Sequence, residues 1–365
     1  MKVSTYKQPI DYAKALCNTM MKKDKPEDLY PKGRFYYQPG VFLSGMYATY
    51  QLCGDEKYYR YVKTWVDSII DPEGQISSYT GEELDDAMAG ILLYPLLDRT
   101  GDERYRKALD ILIKMIKEFP RNKEGGFWHM LKYPNQMWLD GLYMAGPICA
   151  EYGARFGEPQ LWEECAHQAL LMREKTEDKG TGLWYHAWDS SGKAVWANTP
   201  NQCSREFWGR SIGWVPVGIL NELDFIPEDY EKRPQLEALV RDLLQAVCRY
   251  QSEDGRWYQV VNKGYAPENW LETSCSCLFT AGICKAVRKG ILDKSFLEQA
   301  RNGYEAVIRS LDYDGEDIFI NNISFGTGPG QYQYYIDRMR RTNDYHGVGT
   351  FLIMCSEVQQ TFYPV

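Results

Sequence analysis

AMAGILLYPLLDRTGDERYRKALDILIKMIKEF, residues 87–119, reads as an apolar helix, a short turn and a charged helix. Gly101 suits the left-handed residue that ends the first helix, and Asp102 suits the cap of the second. The same pattern stands at 41–70 around CGDEKYY and at 142–175 around FGEPQLW. Two further units use other turns: 211–224 passes through IPEDYEKRP into QLEALVRDLLQAVCRYQ, and 274–289 through GILDKS into FLEQARNGYEAVIRSL. A first helix at 10–22 has no partner before it, and a last helix at 348–359 has none after it. Pairing these two closes a ring of six helical hairpins. The more apolar helix of each pair faces inward and the more charged one outward, as burial in two layers requires. The expected fold is all-α, an α/α toroid. No compositional break or flexible linker divides the chain, so a single domain over 1–365 is expected.

The links between hairpins repeat as well. They read GGFWHM at 125–130, GTGLWYHAWD at 180–189 and DGRWYQVV at 254–261. Each precedes an inner helix. Short strands or turns are expected there, gathered at one end of the ring, which puts a functional site at the N-terminal ends of the inner helices.

The composition narrows the function classes. A chain of 365 residues with 44% hydrophobic and 25% charged residues is ordinary for a folded soluble protein, so disorder is not expected. A net charge of -8 without a basic stripe argues against nucleic acid as a partner. No apolar run has the length of a membrane helix. The N-terminus, MKVSTYKQPIDYAKAL, lacks the apolar core of a signal peptide. The ten Cys sit singly among apolar residues, as at Cys53, Cys149 and Cys248, which fits free thiols in a reducing cytoplasm. The 28 Tyr, 11 Trp and 13 Phe are numerous enough to stack on sugar faces as well as to fill a core.

The segment richest in chemistry is NQMWLDGLYMAGP, residues 135–147. Asp140 has apolar neighbours on both sides and no Lys or Arg nearby before Arg155. Such surroundings favour the neutral carboxyl and suit a general acid. Trp138 offers a flat face for a sugar ring, and Gly141 allows close backbone approach. The competing reading is an Asp capping the next helix. EELDDAMAG at 82–90 repeats the arrangement, with Asp85 and Asp86 opening an apolar helix. His129 and His186 lie in the links, and His346 opens the last inner helix. His167 lies on an outer helix and is structural or exposed. In SREFWGRSIGW, Arg210 suits two-pronged binding of a carboxylate, or pairing with a site Asp, and Trp208 and Trp214 suit pocket walls. Cys275 and Cys277 are two apart, which fails the usual zinc spacing. GTGPG at 326–330 lacks the Lys-Ser/Thr of a phosphate loop and reads as a loop into YQYYIDRMRR.

Taken together, LDDAMAG, GGFWH, MWLDGLYMAGP, WYHAWD and FWGRSIGW resemble glycoside hydrolase family 105, the unsaturated rhamnogalacturonyl hydrolases, and the related unsaturated glucuronyl hydrolases of family 88. The resemblance covers nearly the whole chain and implies an (α/α)6 barrel. It implies Asp140 as general acid/base and Asp85 as the second site carboxylate, with Asp86 kept open. Tyr37, His129, Trp138, His186, Trp208 and Arg210 match positions lining the sugar site. The implied substrate is a small oligosaccharide that carries a C4=C5 double bond left by a lyase. The implied reaction is hydration of that bond, without metal, nicotinamide or other cofactor. A conventional inverting glycosidase, a sugar epimerase working through paired His at the rim, and a non-catalytic oligosaccharide-binding protein are the alternatives. The sequence does not fix the oligomeric state.

Overall fold

The computed structural model describes residues 6–364. The first five residues, where the sequence reading of the N-terminus begins, and residue 365 lie outside the described part. Six inner helices form the ring: α2 (Tyr37–Cys53), α4 (Leu93–Thr100) with the 3-10 turn Met88–Leu92 that leads into it, α6 (Asp140–Phe156), α8 (Gly209–Glu222), α10 (Thr273–Arg288) and α13 (Tyr345–Phe362). Each packs on the next, and α13 packs back on α2. The outer layer is α1 (Pro9–Lys23), α3 (Glu56–Asp67), α5 (Glu103–Glu118), α7 (Gln160–Thr176), α9 (Arg233–Cys248) and α11 (Leu297–Arg309). A short helix, α12 (Tyr332–Ile336), lies between α11 and α13. The expected pairing of first and last helices is present: α1 packs on α13, and the Ile10 amide donates to Gln359 Oε1 at 3.2 Å.

Burial separates the layers as the sequence predicts. Fourteen of the sixteen residues of α10 are buried, against six of the sixteen of α5, which shows only one face to the ring. The glycine turns also form as expected. Gly54, Gly101 and Gly157 take φ of 69°, 66° and 72° at helix C-termini. Asp55 and Asp102 cap the following helices by accepting the amides of Lys57 and Arg104. The third turn departs from the pattern. Glu158 pairs with Lys117, and Pro159 takes the cap position of α7 without a side-chain bond. A second departure lies at 84–92, where two 3-10 turns replace the start of the expected inner helix. Space accounts for it. An ideal Cβ on Gly40 would lie 2.9 Å from both Ala89 Cβ and Met88 Sδ, and one on Gly90 only 2.2 Å from Ile148 Cδ1. A 3-10 turn is the tighter coil, and it fits where α2 and α6 leave little width.

The strands are short two-stranded pieces at one end of the ring. β1 (Gln136–Trp138) pairs with β2 (Ala187–Asp189), and β3 (Trp257–Tyr258) with β4 (Leu271–Glu272). β5 (Asp312–Asp314) pairs with β6 (Asp317–Phe319), and β7 (Ile323–Ser324) with β8 (Arg340–Arg341). A repeated backbone bond fastens the start of four inner units to the next link. Leu84 N–H donates to His129 O at 3.0 Å, Leu139 to His186 O at 3.0 Å, Gly209 to Gln259 O at 2.9 Å and Thr273 to Asn322 O at 3.0 Å.

Two tight places make testable demands. An ideal Cβ on Gly349 of α13 would lie 2.3 Å from the Val41 carbonyl oxygen of α2. Gly349→Ala is expected to cost about 1–3 kcal/mol through overpacking at the ring closure, read as a lower urea midpoint. An unchanged midpoint would show that the helices separate freely there. Beneath the rim, Glu222 is 1% exposed and fills the space left by Gly146, with no hydrogen-bond donor for its Oε2 among the described residues. Burial pushes its carboxyl up to about 8 from 4.5. The folded chain therefore holds a proton that the unfolded chain releases, so the stability that this group contributes is fully present below pH 4.5 and is lost as pH rises toward 8. Glu222→Gln is expected to flatten the fall of the urea midpoint across that window; parallel curves for both proteins would contradict the assignment.

Candidate active site

The N-terminal ends of the inner helices surround a cavity of about 630 Å³. Asp85, Asp140, Tyr37, His129, Trp138, Trp208, Arg210 and Trp214 all line it. Eight of the nine residues expected at the site therefore meet, from segments scattered between residues 37 and 214. The ninth, His186, is fully buried behind Asp140 and does not line the cavity. Its Nε2 lies 3.1 Å from Asp140 Oδ2.

The repeated rim bond explains the central geometry. Leu84 and Leu139 each hand the backbone to a histidine carbonyl, and each is followed by an aspartate. The two aspartates thus meet the two histidines in the same way. Asp85 Oδ1 lies 3.3 Å from His129 Nε2, and Asp140 Oδ2 lies 3.1 Å from His186 Nε2. Asp140 is the first residue of α6, but it makes no capping bond, so the cap reading fails. Asp86 points elsewhere. It accepts from Thr80 Oγ1 at 2.7 Å and from Arg34 at 3.2 Å, and it does not line the cavity. Asp85 is the carboxylate that faces it.

The charge states differ from what the local sequence suggests. Burial alone would raise the Asp140 carboxyl. The His186 hydrogen bond and the nearby His129 and Arg210 outweigh it and hold the pKa below the ordinary value. The Asp140 carboxyl is therefore ionised at neutral pH, where the sequence led to the expectation of a neutral one. Its apolar sequence neighbours were a poor guide because the cationic and donor groups arrive from other units. Burial dominates at His186 and lowers its pKa despite Asp140. At His129 burial is overcome by the charge and hydrogen bond of Asp85, with Asp140 and Glu83 adding to it, and the pKa rises.

Other expectations change in detail. Trp138 is no open platform: it is 9% exposed, its ring stacked with His129 at 4.3 Å and with Tyr133 at 5.5 Å. The room at Gly141 goes to protein, since an ideal Cβ there would meet Leu84 at 3.1 Å and His129 at 3.6 Å. Arg210 is 2% exposed and stacks on Trp208 at 4.5 Å. Its guanidinium donates to the Ser324 and Phe325 carbonyls, so it also builds the wall of the site. His346 accompanies it there, with Nε2 3.0 Å from Ser324 O. His167 is structural, its Nε2 3.0 Å from Glu124 O. Cys275 and Cys277 are buried in α10.

Several site groups were not found from sequence. Tyr36 donates to Asp85 Oδ2 at 3.4 Å under the Arg34 guanidinium, and Arg34 in turn pairs with Glu83. Tyr36 stands beside Tyr37 in FYYQPG, so that motif held two site rings rather than one. Trp196 and Tyr334 reach the cavity mouth, and the GTGPG loop supplies a whole wall through Gly326, Thr327, Gly328 and Pro329. Its glycines were legible as a loop but not as a wall.

Residues 12–362 match the family model described as Glycosyl Hydrolase Family 88. An unsaturated rhamnogalacturonyl hydrolase of Bacillus subtilis is 27% identical over 294 residues, 79% of this chain and 78% of the relative. A family 105 glycoside hydrolase structure from C. acetobutylicum superposes with a TM-score of 0.91 at 32% identity, covering 96% of this chain and 99% of the other. An unsaturated glucuronyl hydrolase of Bacillus sp. GL1 gives 0.73 at 16% identity, over 98% and 97% of the two chains, which shows the shared α/α toroid.

Arg210 supports two carbonyls as well as facing the cavity, so Arg210→Ala is expected to do two things at once. The midpoint of urea unfolding should fall by the equivalent of about 1.5–3 kcal/mol, the range for hydrogen bonds to a charged group. KM for an anionic sugar should rise in the same variant. A raised KM with an unaltered midpoint would assign the guanidinium to substrate alone.

Proposed function

Because the chain belongs to glycosyl hydrolase family 88, we propose that it releases a 4,5-unsaturated galacturonyl residue from the non-reducing end of lyase-generated rhamnogalacturonan oligosaccharides. The observation that carries this reading is the pair of Asp–His units, Asp85–His129 and Asp140–His186, set at one aromatic-walled cavity with Arg210. The substrate's carboxylate is conjugated with the double bond, and Arg210 is the cation placed to meet it. Asp140 gives its proton to C4 and water adds its hydroxyl to C5. The resulting hemiketal opens by breaking the ring C5–O bond. C1 is left as a hemiacetal, which expels the second sugar. Asp140 then recovers a proton from the water that added. Asp85, hydrogen-bonded to Tyr36 and ion-paired with His129, orients the sugar and that water.

Asp140 is ionised in the empty site, so its proton must arrive with the substrate. Bringing the uronate carboxylate close to Asp140 places like charges together, which raises the pKa of the acid. The substrate thus arms the group that attacks it. An epimerase would need both histidines facing the sugar, and His186 does not reach the cavity. An inverting glycosidase on the same toroid would cleave saturated uronides equally well. The closed ring supports one catalytic unit over the whole chain, and the free cysteines support a cytoplasmic setting. No helix among the described residues is long and apolar enough to cross a membrane.

The test is loss of the ultraviolet absorbance of the conjugated double bond across a panel of unsaturated disaccharides, with saturated analogues as controls. Cleavage of saturated analogues at a comparable rate would overturn the reading. Asp140→Asn should remain folded and lose about 10²–10⁴-fold in rate. In the wild type, the basic limb of kcat, which reports the complex, should lie at higher pH than that of kcat/KM, which reports the free enzyme. Coincident limbs would mean that the substrate does not bring the proton.

A further inference from the structure

We propose that Tyr335 is a positioning residue whose hydroxyl fixes His186 in the tautomer protonated on Nε2 and ties that tautomer to the seating of the 326–330 loop. The proposal rests on the reading of Asp140 as the acid. Tyr335, on α12, is fully buried, and its ring packs near Trp208. Its hydroxyl lies 2.9 Å from His186 Nδ1 and accepts the Gly330 amide at 3.0 Å. An amide N–H only donates, so it occupies a lone pair of the phenol oxygen. The single phenol hydrogen is thereby aimed at Nδ1, and because the ionised Asp140 carboxylate on the other ring nitrogen can only accept, Nδ1 is the nitrogen left to accept the phenol hydrogen. His186 carries its own proton on Nε2 and donates it to Asp140 Oδ2 at 3.1 Å. The bonds run in one direction, Gly330 to Tyr335 to His186 to Asp140, and each polarises the next.

The twin Asp–His unit lacks this device. His129 faces Asp85 through Nε2, but its Nδ1 has no hydrogen-bond partner among the described residues. The repeat thus builds two similar pairs, and α12 orients only one of them. The groups facing His186 are Asp140 and Tyr335, with His129 and Arg210 farther off; those facing Tyr335 are Glu206, Asp140 and Tyr334. Burial keeps His186 neutral, so it acts as an oriented donor and not as a fixed cation. When Asp140 loses its proton to carbon, the O–H bond breaks, the C–H bond forms, and the carboxylate left behind accepts a hydrogen bond from Nε2–H, whose proton stays on the ring. A donor aimed at that anion lowers the barrier, because it strengthens as charge develops.

The loop enters through Gly330. Gly328 sits against Trp138, where an added Cβ would lie 3.2 Å from the indole. Arg338 holds the Gly326 carbonyl and Thr327 Oγ1. With the loop seated, the Gly330 amide sets the phenol direction. With the loop displaced, the phenol is free to accept from Nδ1–H, and the proton no longer points at Asp140. A sugar that holds the loop down therefore also holds the acid's partner in register.

The direct test is long-range proton–nitrogen NMR on protein labelled in its four histidines, with His186 assigned by a His186→Gln variant. In the wild type, Nε2 of His186 is expected to show the shift of a protonated nitrogen and Nδ1 that of a bare one. The reverse assignment overturns the proposal. In Tyr335→Phe, kcat is expected to fall roughly tenfold, the effect of one lost hydrogen bond in a buried chain. KM should stay within about twofold, and the basic limb of kcat should move up by as much as about one pH unit as Asp140 becomes a weaker acid. A purely structural loss would lower activity and melting temperature without moving the limb, and that result also overturns it. Where Tyr335→Phe does not fold, the wild-type tautomer decides alone. A wild type inactive on every unsaturated uronide sinks the functional reading, whereas the NMR result still settles the tautomer.

Discussion

The site exists because α13 reaches α2. Those helices come within backbone distance, through glycines that leave no side chain between them: Gly45 faces the Gly349 backbone, and Gly349 faces the Val41 carbonyl. Everything at the cavity depends on that closure. Tyr37 begins α2, His346 lies in the first turn of α13, and the Ser324 carbonyl that His346 contacts is also held by Arg210 from α8. With the two ends of the ring apart, the acids at Asp85 and Asp140 would face water, and the cavity would lose one wall.

Repetition supplies the chemistry in duplicate, and tertiary context makes the copies unequal. One backbone bond, from the residue before each aspartate to a histidine carbonyl, places both Asp–His pairs. The histidines then diverge. His129 gains from Asp85, Asp140 and Glu83, and its pKa rises; His186 is dominated by burial, and its pKa falls. Two pairs of the same residues thus become a proton-rich pair and an oriented neutral donor. Environments that push like groups apart are how one site runs acid and base steps together.

Much of this was legible in the sequence, and what was not has identifiable causes. The hairpins show in the glycine–acid turns and in the apolar and charged alternation, which are local signals. The rim location follows from the links, and the identity of eight lining residues from motifs held within a few positions. The protonation of Asp140 was misread because its apolar neighbours Trp138, Leu139 and Leu142 are adjacent in the chain, whereas His186 and Arg210 are adjacent only in space. Trp138 and Gly141 were read as open to ligand for the same reason: their faces are taken by His129, Tyr133 and Leu84. Tyr335 carried no signal at all, because a tyrosine in YQYYIDRMRR gains meaning only from the histidine it meets 149 positions away.

A closed ring has no privileged starting point. The Ile10 amide meets the Gln359 side chain, so the first and last described helices bring their outer ends together. Joining them by a short peptide would break none of the inner-helix contacts. New ends could then be opened at an exposed connection such as residues 228–232, between α8 and α9. What the natural order of segments sets is the route and not the destination. Because α2 and α13 stand at opposite ends of the chain, the contact that seals the toroid is among its longest-range ones and carries a large loop-closure entropy. A reordered chain that makes this contact local would reach the same architecture by way of a different, later seam.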